Sequence, residues 1–331
     1  MSTDNLPLVS ICCVSYNHAA YISEAIKSFW NQEYKNIEIL ALDDGSTDDS
    51  LSILQDLQKQ SPIPMIVIGQ ENTGRIAYNF NKLLKRAKGK YVKIIALDDF
   101  LYSTAVSEKI RIMEKDDECA FVFNSAITFV NSSSEPYKED RLPLFGKKNA
   151  TVDDILENEF SINWTYYCQG TLFRADILRA VNYLDEDLLA DDYALRIKTA
   201  LYLKSHPPMH FLTLDTPACF YRRHSTNISR NLLRQVLLIS EVLDRYYPDR
   251  KRSVAYKKSI YGAVPQIGWK NLLKTNVFKN EHCAFAKNVL FFCRAEFTWF
   301  RKRIFRIRWS KDKKIIKLFG ITFYKKWQAD D

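Results

Sequence analysis

Residues 8–50 read LVSICCVSYNHAAYISEAIKSFWNQEYKNIEILALDDGSTDDS, and this stretch decides the fold. Its first eight residues are apolar and β-rich, the pattern of a buried strand. Ala19, Ile22, Ala25, Ile26 and Phe29 then line one face of a helix. Ile37 to Leu42 is a second apolar run. It ends in Asp43-Asp44-Gly45-Ser46, a turn signal, and Thr47 or Asp48 can cap a helix with Leu51, Leu54 and Leu57 on one face. Strands alternating with helices predict a parallel sheet with helices on both faces.

The alternation continues outward. Met65–Ile68, Tyr91–Leu97 and Ala120–Val130 read as strands, and Ile76–Ala87 (stopped by Gly89) and Ala105–Met113 as helices. Residues 131–150 read as a long polar loop, and Cys219–Tyr221 as a short strand. Past residue 230 the texture turns helical, over 232–246, 254–273 and 284–307. The expectation is an α/β, mostly parallel twisted sheet over 1–230, followed by a mainly helical, basic region over 231–331. The chain's 331 residues suit two domains. An apolar share of 47% excludes wholesale disorder. Seven cysteines, an odd number with no C-x-x-C pair, fit a reducing cytosol. The opening MSTDNLPLVS lacks a basic, then apolar, leader, so no cleaved secretory signal is expected, and no uncharged apolar run is long enough to span a bilayer.

Two strands end in paired carboxylates, Asp43-Asp44 and Asp98-Asp99. Ligands of open α/β sheets bind at that edge. Hard oxygen ligands at this density suit Mg²⁺ or Mn²⁺, which complete their shells with water and phosphate oxygens. For the first pair, turn and cap chemistry is the competing reading. The second is followed by Phe100-Leu101-Tyr102, a poor turn sequence. No glycine-rich phosphate loop occurs, so a diphosphate needs the metal and side chains such as Arg222-Arg223-His224, unless these form only a solvated basic turn. Asp191-Asp192 precedes a helical stretch, where it is either a cap or a general base.

Together these motifs resemble the family 2 glycosyltransferases, inverting enzymes with the GT-A fold, over about residues 7 to 230. The resemblance implies that Ser15-Tyr16-Asn17 and Asp44 hold the nucleoside, with Asn72 and Asn79 on the same donor side. It implies a metal on Asp98 with Asp99 beside it, although Ala96-Leu97-Asp98-Asp99 lacks the first Asp of the family's Asp-x-Asp. Gly170 to Arg174 matches an acceptor-side segment. Asp192 matches the catalytic base, beside Asp191, and Arg223 and His224 fall near the donor diphosphate.

Residues 285–327 carry 13 basic and 2 acidic residues interleaved with aromatics. That composition suits an interfacial helix on an anionic membrane, or a helix packed on the catalytic domain with a solvated basic face. Nucleic acid is not an expected partner. The function implied is transfer of a sugar from a nucleotide-diphosphate sugar, a UDP-sugar first, to a lipid-linked glycan acceptor in bacterial surface polysaccharide synthesis. The location implied is the cytoplasmic face of the membrane. The rivals are a nucleotidyltransferase on a similar sheet, which needs a basic triphosphate loop where Ser15-Tyr16-Asn17-His18 stands, and a non-catalytic membrane- or nucleic-acid-binding protein with a decayed site.

Overall fold

The computed structural model describes residues 6–251, Ser253 and Tyr256, and the strand backbones at 305–310, 313–318 and 321–326. The chain forms two compact units, Met1–Gly268 and Trp269–Asp331.

The first unit opens with β1 (Val9–Ser15), α1 (Ala19–Trp30), β2 (Ile37–Asp43), α2 (Ser50–Gln60), β3 (Met65–Gly69), α3 (Ile76–Leu84) and β4 (Tyr91–Ala96). β1 lies between β2 and β4, all parallel, with Val9 beside Ile37 and Tyr91. Every residue of β2 is buried, and all of β1 but Val14. Both read as largely apolar because a central parallel strand has no wet face, and their inner polar residues, Ser10 and Glu38, bond each other. Ile22, Ile26 and Phe29 of α1 close over Ile11, Cys13, Ile39 and Ala41. Gly89 lets β1 pass close by. A Cβ there would sit 2.6 Å from the Ser10 nitrogen and 2.8 Å from the Leu8 oxygen, both backbone atoms that cannot give way.

The second half adds β5 (Phe100–Leu101), α4 (Ser107–Met113), β6 (Cys119–Val130), β7 (Pro136–Arg141), α5 (Val152–Phe160), β8 (Thr171–Arg174), α6 (Ala175–Ala180), α7 (Asp192–Ser205), β9 (His210–Arg222) and α8 (Leu232–Tyr246). The sheet order is β3-β2-β1-β4-β8-β6-β9-β5, with β7 on β6. Beyond β4 the sheet is mixed: β8 is antiparallel to β4 and β6, while β6 and β9 run parallel. The expected parallel sheet therefore holds for its first four strands. The expected loop at 131–150 contains β7, whose PYKEDR has Tyr137 as its one large hydrophobic side chain and no apolar alternation to betray it.

The soft boundary near 230 falls inside this unit. α8 buries Val236, Ile239, Val242 and Leu243, and its Glu241 accepts from the Leu189 N–H at 3.0 Å.

In the second unit, β10 (Phe305–Ser310), β11 (Lys313–Leu318) and β12 (Ile321–Lys326) form an antiparallel meander. Residues 305–307 were expected to end a helix, and 308–326 to belong to a mainly helical region. FRIRWS, KKIIKL and ITFYKK are instead rich in β-branched and aromatic residues, and only two residues separate each pair. Of the helices expected at 254–273 and 284–307, all but Tyr256 and residues 305–307 lie outside the described residues. No described helix is long and apolar enough to cross a membrane.

Candidate active site

β1, β2 and β4 deliver residues 15–18, 43–46 and 96–99 to one edge of the sheet. The winding reverses between β1 and β4, so the crevice there is the switch point where such sheets take ligands. Ser15 is spent on scaffold: its hydroxyl donates to Asp43 Oδ2 at 2.7 Å, and Ser46 N–H donates to Asp43 Oδ1 at 2.9 Å. Asn17 takes φ +55° and ties the two loops together. Its N–H donates to Ser46 Oγ (2.8 Å) and its Oδ1 accepts from Thr47 N–H (2.8 Å). Tyr16, 46% exposed, stands free at the mouth. The start of α1, the usual anion cradle of a βα turn, is already occupied. His18 N–H donates to Ser50 Oγ at 2.9 Å and Ala19 N–H to Asp48 Oδ2 at 3.1 Å. Diphosphate charge must be met elsewhere.

Asp44 is the most heavily bonded of the edge carboxylates. Gln70 Nε2 (2.8 Å), Thr73 N–H (3.0 Å), Thr73 Oγ1 (3.0 Å) and Gly74 N–H (3.1 Å) all donate to it. Burial pulls its pKa up, but these donors outweigh burial and hold it below the ordinary value. Asn79 is buried, and its Oδ1 accepts from Gln70 at 2.7 Å, which steadies the Gln70–Asp44 bond. Asn72 is exposed, and its backbone abuts Gly45, where a Cβ would lie 2.4 Å from the Asn72 nitrogen.

The second acidic pair does not act as a pair. Asp98 Oδ2 faces His224 Nε2 at 3.1 Å and Asn227 Nδ2 at 3.4 Å. Burial opposes its ionisation, but the His224 bond and the nearby His18 ring keep its pKa below the ordinary value. Asp99 points inward. It is buried and accepts from the Arg222 N–H at 2.8 Å and Gln169 Nε2 at 3.2 Å. Burial and the Asp98 charge push its pKa well up.

The basic triplet also divides. Arg222 is wholly buried. Its guanidinium donates to Asp98 O (2.8 Å), Asn131 O (3.0 Å) and Ser134 Oγ (3.0 Å), and pairs with Glu24. Arg223 is exposed and lies over the Phe129 ring at 4.2 Å. Only His224 reaches the carboxylate. Its Nδ1 meets Thr226 Oγ1 at 2.8 Å, which orients the ring and leaves Nε2 toward Asp98. An ionised carboxylate and an oriented imidazole fit a divalent cation, although no set of three such side chains is preassembled among the described residues.

Asp191 and Asp192 stand where α7 begins. Asp191 is the N-cap residue, yet its side chain caps nothing, so capping does not explain the pair. Asp192, 34% exposed, accepts from Arg196 Nη1 at 2.7 Å. Arg196 is buried, donates through Nε to Glu159 Oε1 at 3.0 Å, and lies 5.1 Å from the Trp164 ring. Glu159 also holds Thr165 N–H at 2.9 Å. The result is a buried relay that aims Asp192. Burial, and then the Asp192 charge, push Asp191 up to about 6. Ile162, a β-branched residue at φ +61°, strains the loop before Trp164, as is common beside working sites. Arg174, expected on the acceptor side, is buried and donates to Cys119 O at 2.8 Å and Met113 O at 2.7 Å.

Sequence reasoning missed Gln70, Glu159, Arg196 and the ring of His18. Arg196 carried a signal, since it sits four residues after Asp192 on a helix.

Residues 10–180 match the family model described as Glycosyl transferase family 2. An uncharacterized glycosyltransferase of Haemophilus influenzae is 31% identical over 203 residues, 57% of this chain and 59% of that protein. The chain thus spans less than two thirds of that relative's length. The Escherichia coli protein described as UDP-Glc:alpha-D-GlcNAc-diphosphoundecaprenol beta-1,3-glucosyltransferase WfaP is 27% identical over 72% of this chain and 86% of its own. Among solved structures, S. aureus TarS 1–349 in complex with UDP-GlcNAc superposes with a TM-score of 0.60 at 15% identity, over 98% of this chain and 100% of that one. At that identity the likeness speaks for the fold.

Proposed function

Because the chain belongs to the family 2 glycosyltransferases, we propose that it transfers a sugar from a UDP-sugar to a hydroxyl of a lipid-linked glycan, inverting the anomeric configuration. One observation carries this reading. Asp98 and His224 meet at the β1/β4 switch point, while Asp192 is held by Arg196 at the head of α7.

The nucleoside lies over the Tyr16–Asn17 and Asp44 loops, with Tyr16 as the free aromatic face. Asp98 and His224 hold Mg²⁺ or Mn²⁺, which when bound neutralises the departing diphosphate. Arg223, exposed beside His224, adds positive charge on the same side. On the acceptor side Asp192 keeps Oδ2 on Arg196 and takes the hydroxyl proton at Oδ1. The freed oxygen attacks the anomeric carbon from the face opposite the diphosphate, hence the inversion. Glu159 and Arg196 keep that carboxylate from rotating.

A lipid-linked acceptor is supported by the E. coli relative, whose name gives a diphosphoundecaprenol-linked sugar as its acceptor. The basic residues between 285 and 327 would bring the enzyme to an anionic membrane as a peripheral protein.

The test is a panel of UDP- and GDP-sugars offered with an undecaprenyl-diphosphate-linked saccharide. UDP release with one sugar, abolished by EDTA and restored by Mn²⁺, with NMR showing the opposite anomer in the product, is the expected result. Release of no nucleotide from any donor, or retention of configuration, overturns the reading.

A further inference from the structure

We propose that a row of aromatic side chains, Tyr167, Tyr221, Phe129 and Tyr137, is the platform for the acceptor glycan, whose sugar rings stack along it leading away from Asp192. This rests on the reading above that Asp192 activates a sugar hydroxyl.

The geometry comes first. The ring centroids of Tyr167 and Tyr221 are 5.6 Å apart, those of Tyr221 and Phe129 5.6 Å, and those of Phe129 and Tyr137 6.4 Å. All three separations fall within the roughly 4.5–7 Å of paired rings, so the side chains form one unbroken row. Phe129 is buried and floors it, Tyr167 and Tyr221 are half-buried, and Tyr137 is 54% exposed. The row begins at the base. Arg196, which holds Asp192, lies 5.1 Å from the Trp164 ring and 5.9 Å from the Tyr166 ring, so the segment leading into Tyr167 is built against it. Tyr167 O accepts from Gly170 N–H and Thr171 Oγ1, both at 2.9 Å, which fixes the backbone that carries the first ring. The charges of Asp192 and Arg196 at the base, and of Arg223 and Asp140 toward β7, all reach the Tyr167 hydroxyl. Arg223, the neighbour of His224, lies 4.2 Å from the Phe129 ring. The row thus runs from the base past the donor side, where an acceptor has to lie.

The second observation is β7 itself. Five of its six residues are exposed, so the strand adds almost nothing to the core. It nevertheless holds the Tyr137 ring out to solvent at the far end of the row. Beside that ring, Lys138 lies 5.8 Å from the Phe129 ring and pairs with Asp140 at 3.1 Å. A single exposed tyrosine needs no explanation. One that ends a contiguous row leading to a catalytic carboxylate does.

The chemistry then selects the ligand. A sugar ring presents C–H faces that stack on aromatic rings, and hydroxyls at its edge that bond to charged or polar neighbours. Tyrosine suits such a ligand, with an apolar body and a polar end. The row is one ring wide and is bordered by Lys138, Asp140 and Arg223, which supply both donors and acceptors to those hydroxyls. A lipid chain or an apolar peptide would strip water from the same charged groups without bonding to them.

The experiment uses the full chain. Acceptor KM, donor KM and kcat are measured with undecaprenyl-diphosphate-linked acceptors of increasing saccharide length, for the wild type, Tyr137→Ala and Tyr137→Phe. NMR titration with free cellotriose, chitotriose and maltotriose reads saccharide binding without transfer. In the wild type, acceptor KM should fall as the saccharide lengthens. Tyr137→Ala should raise KM for the longest acceptor by ~5-fold or more, affect the shortest far less, and move donor KM little. Tyr137→Phe, which keeps the ring, should recover most of the loss. A merely structural role for Tyr137 would change every acceptor alike. Acceptor KM that ignores length in the wild type, or an equal change on all acceptors in Tyr137→Ala, overturns the platform and leaves glycosyl transfer standing. If no donor releases nucleotide with any acceptor, the reading beneath the proposal falls and the titration decides the platform alone. Trisaccharide binding that Tyr137→Ala weakens then supports it, and a wild type that binds none of the three overturns it.

Discussion

Asp191 and Asp192 are neighbours in the chain, yet their surroundings separate them. Asp192 is ion-paired to a buried arginine that is itself held by Glu159. Asp192→Asn should cut kcat by at least ~10²-fold with little change in donor KM, as steady-state kinetics would show. A larger loss in Asp191→Asn would move the base one residue back. Asp191 carries a different consequence. Its pKa is raised to about 6 in the fold, against about 3.9 in an unfolded chain. The fold prefers the protonated form, so stability from this group is full below pH 4 and is lost as pH rises through 6. Asp191→Asn should therefore raise Tm at pH 7, by roughly 2–4 °C for each kcal/mol recovered, and leave Tm unchanged near pH 4. Thermal melts at the two pH values decide it; an equal shift at both refutes the raised pKa. Of the site, Asp98, His224 and the Asp191-Asp192 pair were legible as charge at predictable places. The inward turn of Asp99 was not, because the N–H that captures it belongs to Arg222, 123 residues later.

At the level of elements, the end of β9 works as a latch. Arg222 joins α1 through Glu24, the 98–99 turn through the Asp98 carbonyl, and the β6–β7 connection through Asn131 and Ser134. Arg222→Ala strands several buried acceptors and one carboxylate, and should cost on the order of 3–5 kcal/mol, measured by urea unfolding. Arg222→Lys should recover little of it, since one ammonium cannot span a fork that reaches three segments. A loss below 1 kcal/mol would mean the latch is ornamental. The strands that β9 completes differ in how readable they are. β1, β2 and β4 announce themselves because central parallel strands are predominantly apolar, with Ser10, Glu38 and Lys93 as buried exceptions. β7 is polar at its last four positions, 138–141, and pairs with β6. β10 to β12 share their basic and aromatic residues with amphipathic helices. Only the two-residue period of FRIRW separates the two forms, and composition had masked it.

On the scale of the whole molecule, charge is partitioned. The net is +9, while 285–327 alone carries 13 basic residues against 2 acidic, so the rest is slightly acidic. The compact unit Met1–Gly268 contains every site residue discussed, and Trp269–Asp331 contains the basic segment. A chain ended at Gly268 should keep Mn²⁺ and UDP binding but lose co-sedimentation with anionic liposomes. The full chain should bind them less as salt rises, since attraction at a membrane surface decays within about 8 Å at physiological ionic strength. Binding that ignores anionic lipid content would remove the membrane role from the basic segment. The union of Asp98 with His224 spans 126 residues of chain. Synthesis releases the amino-terminal strands first, so a ribosome-bound chain holds the loops around Asp44 long before β9 delivers its histidine. Closing a loop of that length costs about 4 kcal/mol of chain entropy, which only docking of β9 on β6 returns. On the reading proposed above, a chain that stops before β9 would lack the His224 half of the cation site and so would turn over no sugar nucleotide.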